Sequence, residues 1–265
     1  MIKRYFKNNA YGIIFSLVSI LFMWAVWTAA YYSVGNDLII PSFSDTAVEF
    51  FALFANGGFW TAILNSLWRT LLAFAVSFLL AALCACLAAL NCYVKIFFKP
   101  VMTVIRTLPT MAVILIILKI TSGNRSLSPV IVAFLVLFPM IYSQLTAAIE
   151  GVDGGLLEMA KIFDISKKDK IFKIYLPAVA PSVLSQSGAN ISLGLKVVIS
   201  AEVLANTAKG LGGSMQLASI SAEVALLSAL TLSAVFLGLI IEVIFSVLRK
   251  FTFKWNAREK VNDSD

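Results

Sequence analysis

The sequence predicts an all-α membrane protein with six transmembrane helices. The chain has 265 residues, of which 60% are hydrophobic and only 13% are charged, whereas about 25% of the residues in a soluble domain are charged. Its mean hydropathy is +0.92. Because about 20 apolar residues cross a bilayer as a helix, this length accommodates five or six spans and leaves no long segment for a soluble catalytic domain.

Apolar stretches of membrane length define the predicted spans. Between Lys7 and Asp37, 29 consecutive residues carry no charge, a stretch too long and too aromatic at its end for a cleaved signal peptide. The predicted spans are 12–32, 63–90, 101–120, 129–149, 182–205 and 225–248, within a transmembrane domain at 12–250 that is flanked by tails at 1–11 and 251–265. A long polar loop at 150–181 separates the fourth and fifth spans.

A short interfacial helix is predicted at 45–55, between the first two spans. Thr46 and Glu49 match a capping box at its start, and Asn56-Gly57-Gly58 interrupts the apolar residues at its end. We do not expect this segment to cross the membrane.

The basic residues predict that both termini are cytoplasmic, because cytoplasmic loops are enriched in Lys and Arg. Of the 21 basic residues, 15 fall on one side of the predicted spans. They are Lys3, Arg4, Lys7, Lys95, Lys99, Lys161, Lys167, Lys168, Lys170, Lys173, Arg249, Lys250, Lys254, Arg258 and Lys260. The net charge of +7 therefore needs no nucleic-acid partner.

Several classes of chemistry are disfavoured by the residue types present. The chain contains no His, the commonest metal ligand and the usual general base near neutral pH, so we expect neither a metal site nor Ser-His-Asp catalysis. Cys84, Cys86 and Cys92 lie close together on one apolar helix, which favours packing over a redox site. Gly210-Leu211-Gly212-Gly213 follows no strand and is expected to be a flexible extracytoplasmic turn, not a phosphate loop.

The loop at 150–181 is predicted to form a compact knob of two short helices. Asp164-Ile165-Ser166 separates the first helix from the second. The second helix covers 167–175 and is expected to end at Leu176-Pro177. The apolar face of the first helix contains Leu156, Leu157, Ala160, Ile162 and Phe163. Such a knob fits either an amphipathic element on anionic lipid or a docking element for a cytoplasmic partner.

The same loop resembles the signature of the membrane subunits of type I ABC importers. That signature is Glu-Ala-Ala, three residues, Gly, nine residues, then Ile-x-Leu-Pro. Here Glu158-Met159-Ala160, Asp164 and Ile174-Tyr175-Leu176-Pro177 have the same spacing. Met159 replaces an Ala, and Asp164 replaces the Gly of the turn, where Asp tolerates a left-handed conformation.

Other motifs extend the resemblance over 40–265, to the branch that takes up nitrate, sulfonates, taurine and related compounds such as vitamin precursors. They are Ile40-Pro41-Ser42, Ser66-Leu67-Trp68-Arg69, Arg106-Thr107-Leu108-Pro109, Leu193-Gly194-Leu195-Lys196, Ala201-Glu202 and Gly210-Leu211-Gly212. The resemblance implies a permease subunit with the type I ABC importer fold, in a bacterial cytoplasmic membrane. Implied partners are cytoplasmic ABC ATPase subunits, an extracytoplasmic solute-binding protein and a second permease subunit, expected to be identical.

The resemblance also implies that the chain is not an enzyme and binds no cofactor directly, since ATP is used by the partner subunits. The resemblance assigns ATPase coupling to Leu157, Glu158, Ala160, Ile162, Asp164, Ile174, Leu176 and Pro177. We hypothesise that the first-helix residues reach the ATPase groove and that Leu176 and Pro177 hold the second helix against the bundle.

Ionisable groups at span depth are expected to face protein or water, because exposing them to lipid costs about 2.5–3.5 kcal/mol. Candidate residues of a translocation pathway are Gln186, Asn190, Lys196, Glu202 and Arg69. Structural roles remain open: Lys196 can pair with Glu242, and Glu202 can lie near the outer surface. For Arg106 we favour anchoring at the cytoplasmic interface.

Two other functions compete with the importer permease. An ion-coupled secondary transporter would use Lys196, Glu202 and Glu242 as coupling charges, but it would be expected to show a repeated half, and the sequence contains no internal repeat. A membrane-embedded enzyme is disfavoured by the absence of His and the small number of acidic residues. The sequence does not identify the substrate.

Overall fold

The computed structural model describes residues 2–121 and 124–252. All regular elements in these ranges are helical, and no strand occurs within them. The elements are α1 (Ile2–Val34), α2 (Phe43–Ala55), α3 (Gly57–Leu90), α4 (Cys92–Thr107), α5 (Thr110–Ile120), α6 (Ser128–Glu150), α7 (Gly154–Ile162), α8 (Lys167–Lys170), a π-helical segment (Ile171–Tyr175), α9 (Leu176–Ala205), α10 (Leu211–Ile220) and α11 (Val224–Thr252).

By length and composition, five of the described helical segments are able to cross a membrane, and the bent pair of α4 and α5 makes a sixth if it is counted as one broken span. The five are α1, α3, α6, the continuous rod of residues 168–205, and α11. The predicted C-terminal tail lies outside the described residues from position 253 onward.

The third predicted span is not one straight helix. The prediction of a continuous span at 101–120 is wrong, because α4 and α5 meet at an angle of 94°. Leu108 is extended, with φ −65° and ψ 130°, as expected for a residue that precedes a proline. Pro109 has no N–H to donate to the preceding turn, so the first helix ends there and a second one begins.

The short helix α2 begins earlier than predicted. Its N-cap is Ser42, whose Oγ accepts a hydrogen bond from the backbone N–H of Asp45 at 3.0 Å and donates one to the Asp45 carboxylate at 2.6 Å. Thr46 is not the capping residue: it is fully buried in the first turn and donates to the Ser42 carbonyl. With 13 residues, α2 is too short to cross a bilayer.

A π-turn joins the polar loop to the fifth span. We expected Leu176-Pro177 to end the second loop helix, and this was wrong. The N–H of Leu176 donates to the carbonyl of Ile171, five residues back, and Pro177 lies in the first turn of α9. A proline ring clashes with the carbonyl four residues before it in a regular α-helix. Because the π-turn changes the register just ahead of Pro177, the helix continues as one rod.

The chain forms two compact units. One contains α1, α2 and the segment Leu217–Ser233. In this unit the indole Nε1 of Trp27 donates to the Pro41 carbonyl at 3.1 Å, and its ring meets Phe43 edge-on with centroids 6.3 Å apart. These contacts fix α2 against the end of α1.

The other unit contains the segment Gly58–Gln216 and α11 from Ala234 onward. Its core lies where α6 packs against α9, with Ala133, Leu137 and Val198 fully buried. Small residues bring the helices close together. A Cβ added to Gly194 would lie 3.0 Å from a methyl carbon of Leu137, and one added to Gly188 would lie 2.8 Å from the Phe245 Cβ of α11.

We expect Gly188→Val to destabilise the protein by about 1–3 kcal/mol, because the added methyl groups overpack the α9–α11 contact. The measurement is the melting temperature of the detergent-solubilised protein. Gly57→Val is the matched control, since a Cβ at Gly57 meets nothing within 4 Å. Equal melting temperatures for the two variants would contradict this packing.

Candidate functional site

The polar loop forms a short helix with well-defined ends. Asp153 caps α7, its Oδ1 accepting from the N–H of Gly155 at 3.0 Å. Asp164 has φ +48° at the end of the helix. There the Ile165 N–H donates to the Ala160 carbonyl at 3.0 Å and the Asp164 N–H donates to the Lys161 carbonyl at 3.2 Å. These two bonds are a Schellman motif, so Asp164 provides the left-handed turn that the resembled signature assigns to Gly.

The inner face of α7 is packed against the bundle. Ala160 is only 3% exposed, and Leu157 lies against a core cluster that contains Leu145 and Val152. In this chain neither side chain forms the outer surface that an ATPase would meet first. Glu158 and Asp164 are exposed.

The outer face of α7 is apolar and uncovered in this chain. Ile162, one of the residues assigned to ATPase coupling, is 80% exposed. Three further exposed apolar side chains were not among the assigned coupling residues, although a helical spacing of three and four residues indicates them. The outer patch consists of Leu156, Met159, Ile162 and Phe163.

The second part of the loop is attached to the bundle by residues other than those expected. Ile174 and Tyr175 pack against the core cluster, whereas Leu176 is 56% exposed and Pro177 is also exposed. The hypothesis that Leu176 and Pro177 hold this helix in place is therefore wrong, and Ile174 and Tyr175 of the π-helical segment make the contacts with the bundle instead. The Lys173 Nζ lies 2.9 Å from the Asp169 carboxylate, which also accepts a hydrogen bond from Ser166 Oγ at 2.9 Å.

Glu202, a candidate pathway residue, is at the centre of a buried polar network. Its carboxylate is fully buried and accepts hydrogen bonds from Arg69 Nη1 at 2.5 Å, Ser66 Oγ at 2.7 Å and the Gly212 N–H at 3.0 Å. Ser66 Oγ in turn accepts from the N–H of Leu211 at 2.9 Å. One carboxylate thus joins α3, α9 and the N-terminus of α10, where the positive end of the helix dipole favours an anion.

The glycine segment after α9 is packed around this carboxylate. A Cβ added to Gly210 would lie 2.5 Å from the Glu202 carboxyl carbon, and one added to Gly213 would lie 1.7 Å from the Thr207 carbonyl oxygen. Leu211 is fully buried. The expectation of a flexible turn is wrong, because Gly210 packs against the buried carboxylate and Gly213 packs against the Thr207 carbonyl, at positions that leave no room for a side chain.

Among the other candidate pathway residues, Asn190 is buried and Gln186 is half-buried. Asn190 Nδ2 donates to Gln144 Oε1 at 2.8 Å, and Gln144 Nε2 donates back to Asn190 Oδ1 at 3.1 Å. This reciprocal amide pair fixes α9 to α6. Among the residues that the structure describes, Gln186 bonds only to Ser182 of its own helix.

Lys196 lies on the exposed face of α9. The residues next to it, Leu195 and Val197, are buried, whereas Lys196 and Ser200 are exposed. No ion pair of Lys196 occurs in the described parts of the chain, so the alternative in which Lys196 pairs with Glu242 is not formed. Of the candidate pathway residues, Lys196 is the one whose charge is accessible.

Removing either partner of the Arg69–Glu202 pair is expected to destabilise the protein by about 3–5 kcal/mol, because it leaves a buried charge uncompensated. The double variant Arg69→Met, Glu202→Leu is expected to lose less than the sum of the single changes. Lys95→Ala, which breaks a pair whose side chains are 46% and 53% exposed, is expected to leave the melting temperature nearly unchanged, because solvent screens exposed ion pairs. Melting in detergent measures all four variants, and single changes at Arg69 or Glu202 without effect would contradict the network.

Comparison with known proteins agrees with this architecture. The bacterial alginate ABC importer has a TM-score of 0.64 over 91% of this chain and 96% of that chain, at 15% identity. An amino acid ABC transporter gives 0.60 over 78% and 96%, at 17% identity. At these identities the likeness concerns the fold, which is that of type I ABC importer permeases.

Sequence comparison adds relatives. The aliphatic sulfonates transport permease protein SsuC of Escherichia coli K12 is 27% identical over 237 residues, 88% of each chain. SsuC of Bacillus subtilis 168 is 25% identical over 162 residues, 61% of this chain and 58% of that protein. Residues 77–255 match the binding-protein-dependent transport system inner membrane component family. The chain therefore belongs to this family of importer permeases, as a multi-pass membrane subunit and not an enzyme.

Proposed function

We propose that two copies of this chain form the translocation pathway of an ABC importer for a sulfonate-like organic anion, in a bacterial cytoplasmic membrane. ATP is hydrolysed by cytoplasmic ATPase subunits that dock on α7, and an extracytoplasmic binding protein delivers the solute. The permease itself binds no cofactor. The observation that carries this proposal is the outer patch on α7.

The outer patch has the properties of a docking surface. Phe163 is 72% exposed and Ile162 is 80% exposed, on a helix whose opposite face is anchored in the core. Exposed apolar patches with polar surroundings are typical of protein–protein contacts. ATP-driven closure of an ATPase pair moves the spans only if the gripped element is rigidly joined to them, and α7 is packed directly against the bundle.

The orientation follows from the charges around α7. Lys161, Lys168, Lys170 and Lys173 lie in or beside the loop, and basic loops remain in the cytoplasm. The charge distribution supports an orientation with the outer patch on the ATP side and both termini in the cytoplasm.

The pathway is proposed to run along the exposed face of α9. Lys196 and Ser200 lie on that face, and a lysine at span depth needs water or protein around it. A second copy facing the first would enclose it. Gln186 stays in this proposal, whereas Asn190, Glu202 and Arg69 do not, because each is buried within the single chain.

The substrate class rests on two observations. The relatives in Escherichia coli and Bacillus subtilis carry the name of aliphatic sulfonates transport permeases, and the accessible charge on α9 is positive. An anion is therefore favoured over a cation. The rival ion-coupled carrier is less favoured, since the Glu202 carboxylate is fully buried and already accepts hydrogen bonds from three donors.

The proposal predicts that Ile162→Glu abolishes co-purification of the ATPase encoded beside this chain, because a charge replaces the most exposed apolar side chain of the outer patch. Ile39→Glu is the matched control: Ile39 is 62% exposed and lies on the opposite side of the membrane by the charge distribution. Both variants are purified in mild detergent with the ATPase, and size-exclusion chromatography checks that they are folded. Retention of the ATPase by Ile162→Glu, or no ATPase with the unaltered chain, would reject the coupling role.

A further inference from the structure

A cavity of about 410 Å³ with a mixed polar and apolar lining lies beside the break between α4 and α5, within the size range of small-molecule sites. Its polar lining comes from Arg106, Thr110, Ser143 and Gln144, and the remaining lining residues are apolar. None of the residues that line it is acidic. The polar groups thus converge beside the break at Leu108 and Pro109, where the regular hydrogen bonding of the helix is interrupted.

The Arg106 side chain brings an uncompensated positive charge to this cavity. Its Nη2 donates to Ser143 Oγ at 2.5 Å and to the Pro139 carbonyl at 3.2 Å. The other guanidinium donors, on Nη1 and Nε, have no acceptor in the described part of the protein, where Arg106 also forms no ion pair. Arg69, by contrast, is neutralised by Glu202. Arg106 is an exposed residue whose side chain is held beside the cavity by neutral oxygens of α6.

The N-terminus of α5 adds further donors. Pro109 is its N-cap and provides no side-chain hydrogen bond. The first hydrogen bond of the helix is the one that the Val113 N–H donates to the Pro109 carbonyl. The N–H groups of Thr110, Met111 and Ala112 precede that bond and are available to a ligand. A half-helix of this kind, broken within a membrane domain, presents its positive end to anionic groups.

We propose that this cavity binds the anionic head group of the transported solute, a sulfonate or a similar oxyanion; the inference rests on the proposed importer function. Arg106 donates to the head group through its free guanidinium N–H groups, and Thr110 and the backbone at the start of α5 complete the set of donors. The apolar lining residues accept a short aliphatic tail.

The cavity is also linked to α9, which belongs to the continuous rod of residues 168–205. Gln144 lines it and is locked to Asn190 of α9 by the reciprocal amide pair. A ligand that contacts Gln144 therefore touches a side chain fixed to the rod that leads to the polar loop. Occupancy of the cavity is sensed by the same helix that is joined to the ATPase-binding element.

The test is the charge selectivity of thiol labelling at position 143. Ser143→Cys is introduced into the full chain with Cys84, Cys86 and Cys92 changed to Ser, and the solubilised protein is treated with an anionic sulfonatoethyl or a cationic trimethylammonioethyl methanethiosulfonate. The ratio of the two rates removes differences in thiol reactivity. The reference is the ratio of the anionic to the cationic labelling rate for a free thiol. We expect this ratio to be at least about tenfold higher at position 143, because a positive pocket concentrates anions.

Arg106→Gln is expected to abolish this preference, Arg106→Lys to retain most of it, and Lys119→Gln, which removes an exposed charge outside the cavity, to leave it unchanged. Methanesulfonate at millimolar concentration is expected to slow labelling only when residue 106 is basic. A preference that survives Arg106→Gln, or no protection by methanesulfonate, overturns the site. Labelling needs neither ATPase nor binding protein, so failure of the importer assignment would be seen separately, as absence of ATPase co-purification with the unaltered chain.

Discussion

The buried carboxylate of Glu202 is the constraint on which the rest of this bundle depends. A charge in a membrane domain is stable only when it is fully compensated. Here compensation comes from Arg69 of α3, from Ser66 and from the N-terminus of α10. Because two donors come from α3 and one from the start of α10, the network fixes where α3, α9 and α10 lie, and it explains why Gly210 and Gly212 pack closely against Glu202.

This internal pairing separates the charges that hold the bundle from those available to a solute. Arg69 and Glu202 neutralise each other, whereas Arg106 and Lys196 remain unpaired within the described residues. Both of these unpaired charges are basic, which suits the proposed anionic solute, and the rod of residues 168–205 that carries Lys196 begins in the polar loop.

Composition and hydropathy were sufficient to predict the helical membrane class, and the spacing from Glu158 to Pro177 was sufficient to predict the family. The turn at Asp164 was also predictable from its tolerance of a left-handed backbone. The Glu202–Arg69 pair was not, because 133 residues separate its partners and either charge alone is compatible with a pathway. The two prolines also had opposite effects: Pro109 breaks a helix, whereas a π-turn lets the helix continue through Pro177, a difference set by backbone register and not by residue type.

The central claim is that ATPase subunits bound to α7 use ATP hydrolysis to drive import along these helices. The most direct measurement is uptake of a radiolabelled aliphatic sulfonate into proteoliposomes that contain the chain and its ATPase, with the binding protein added outside. The account predicts uptake that requires enclosed ATP and the binding protein and that is indifferent to proton or sodium gradients. Uptake driven by an ion gradient without ATP would contradict it and would identify a secondary carrier instead.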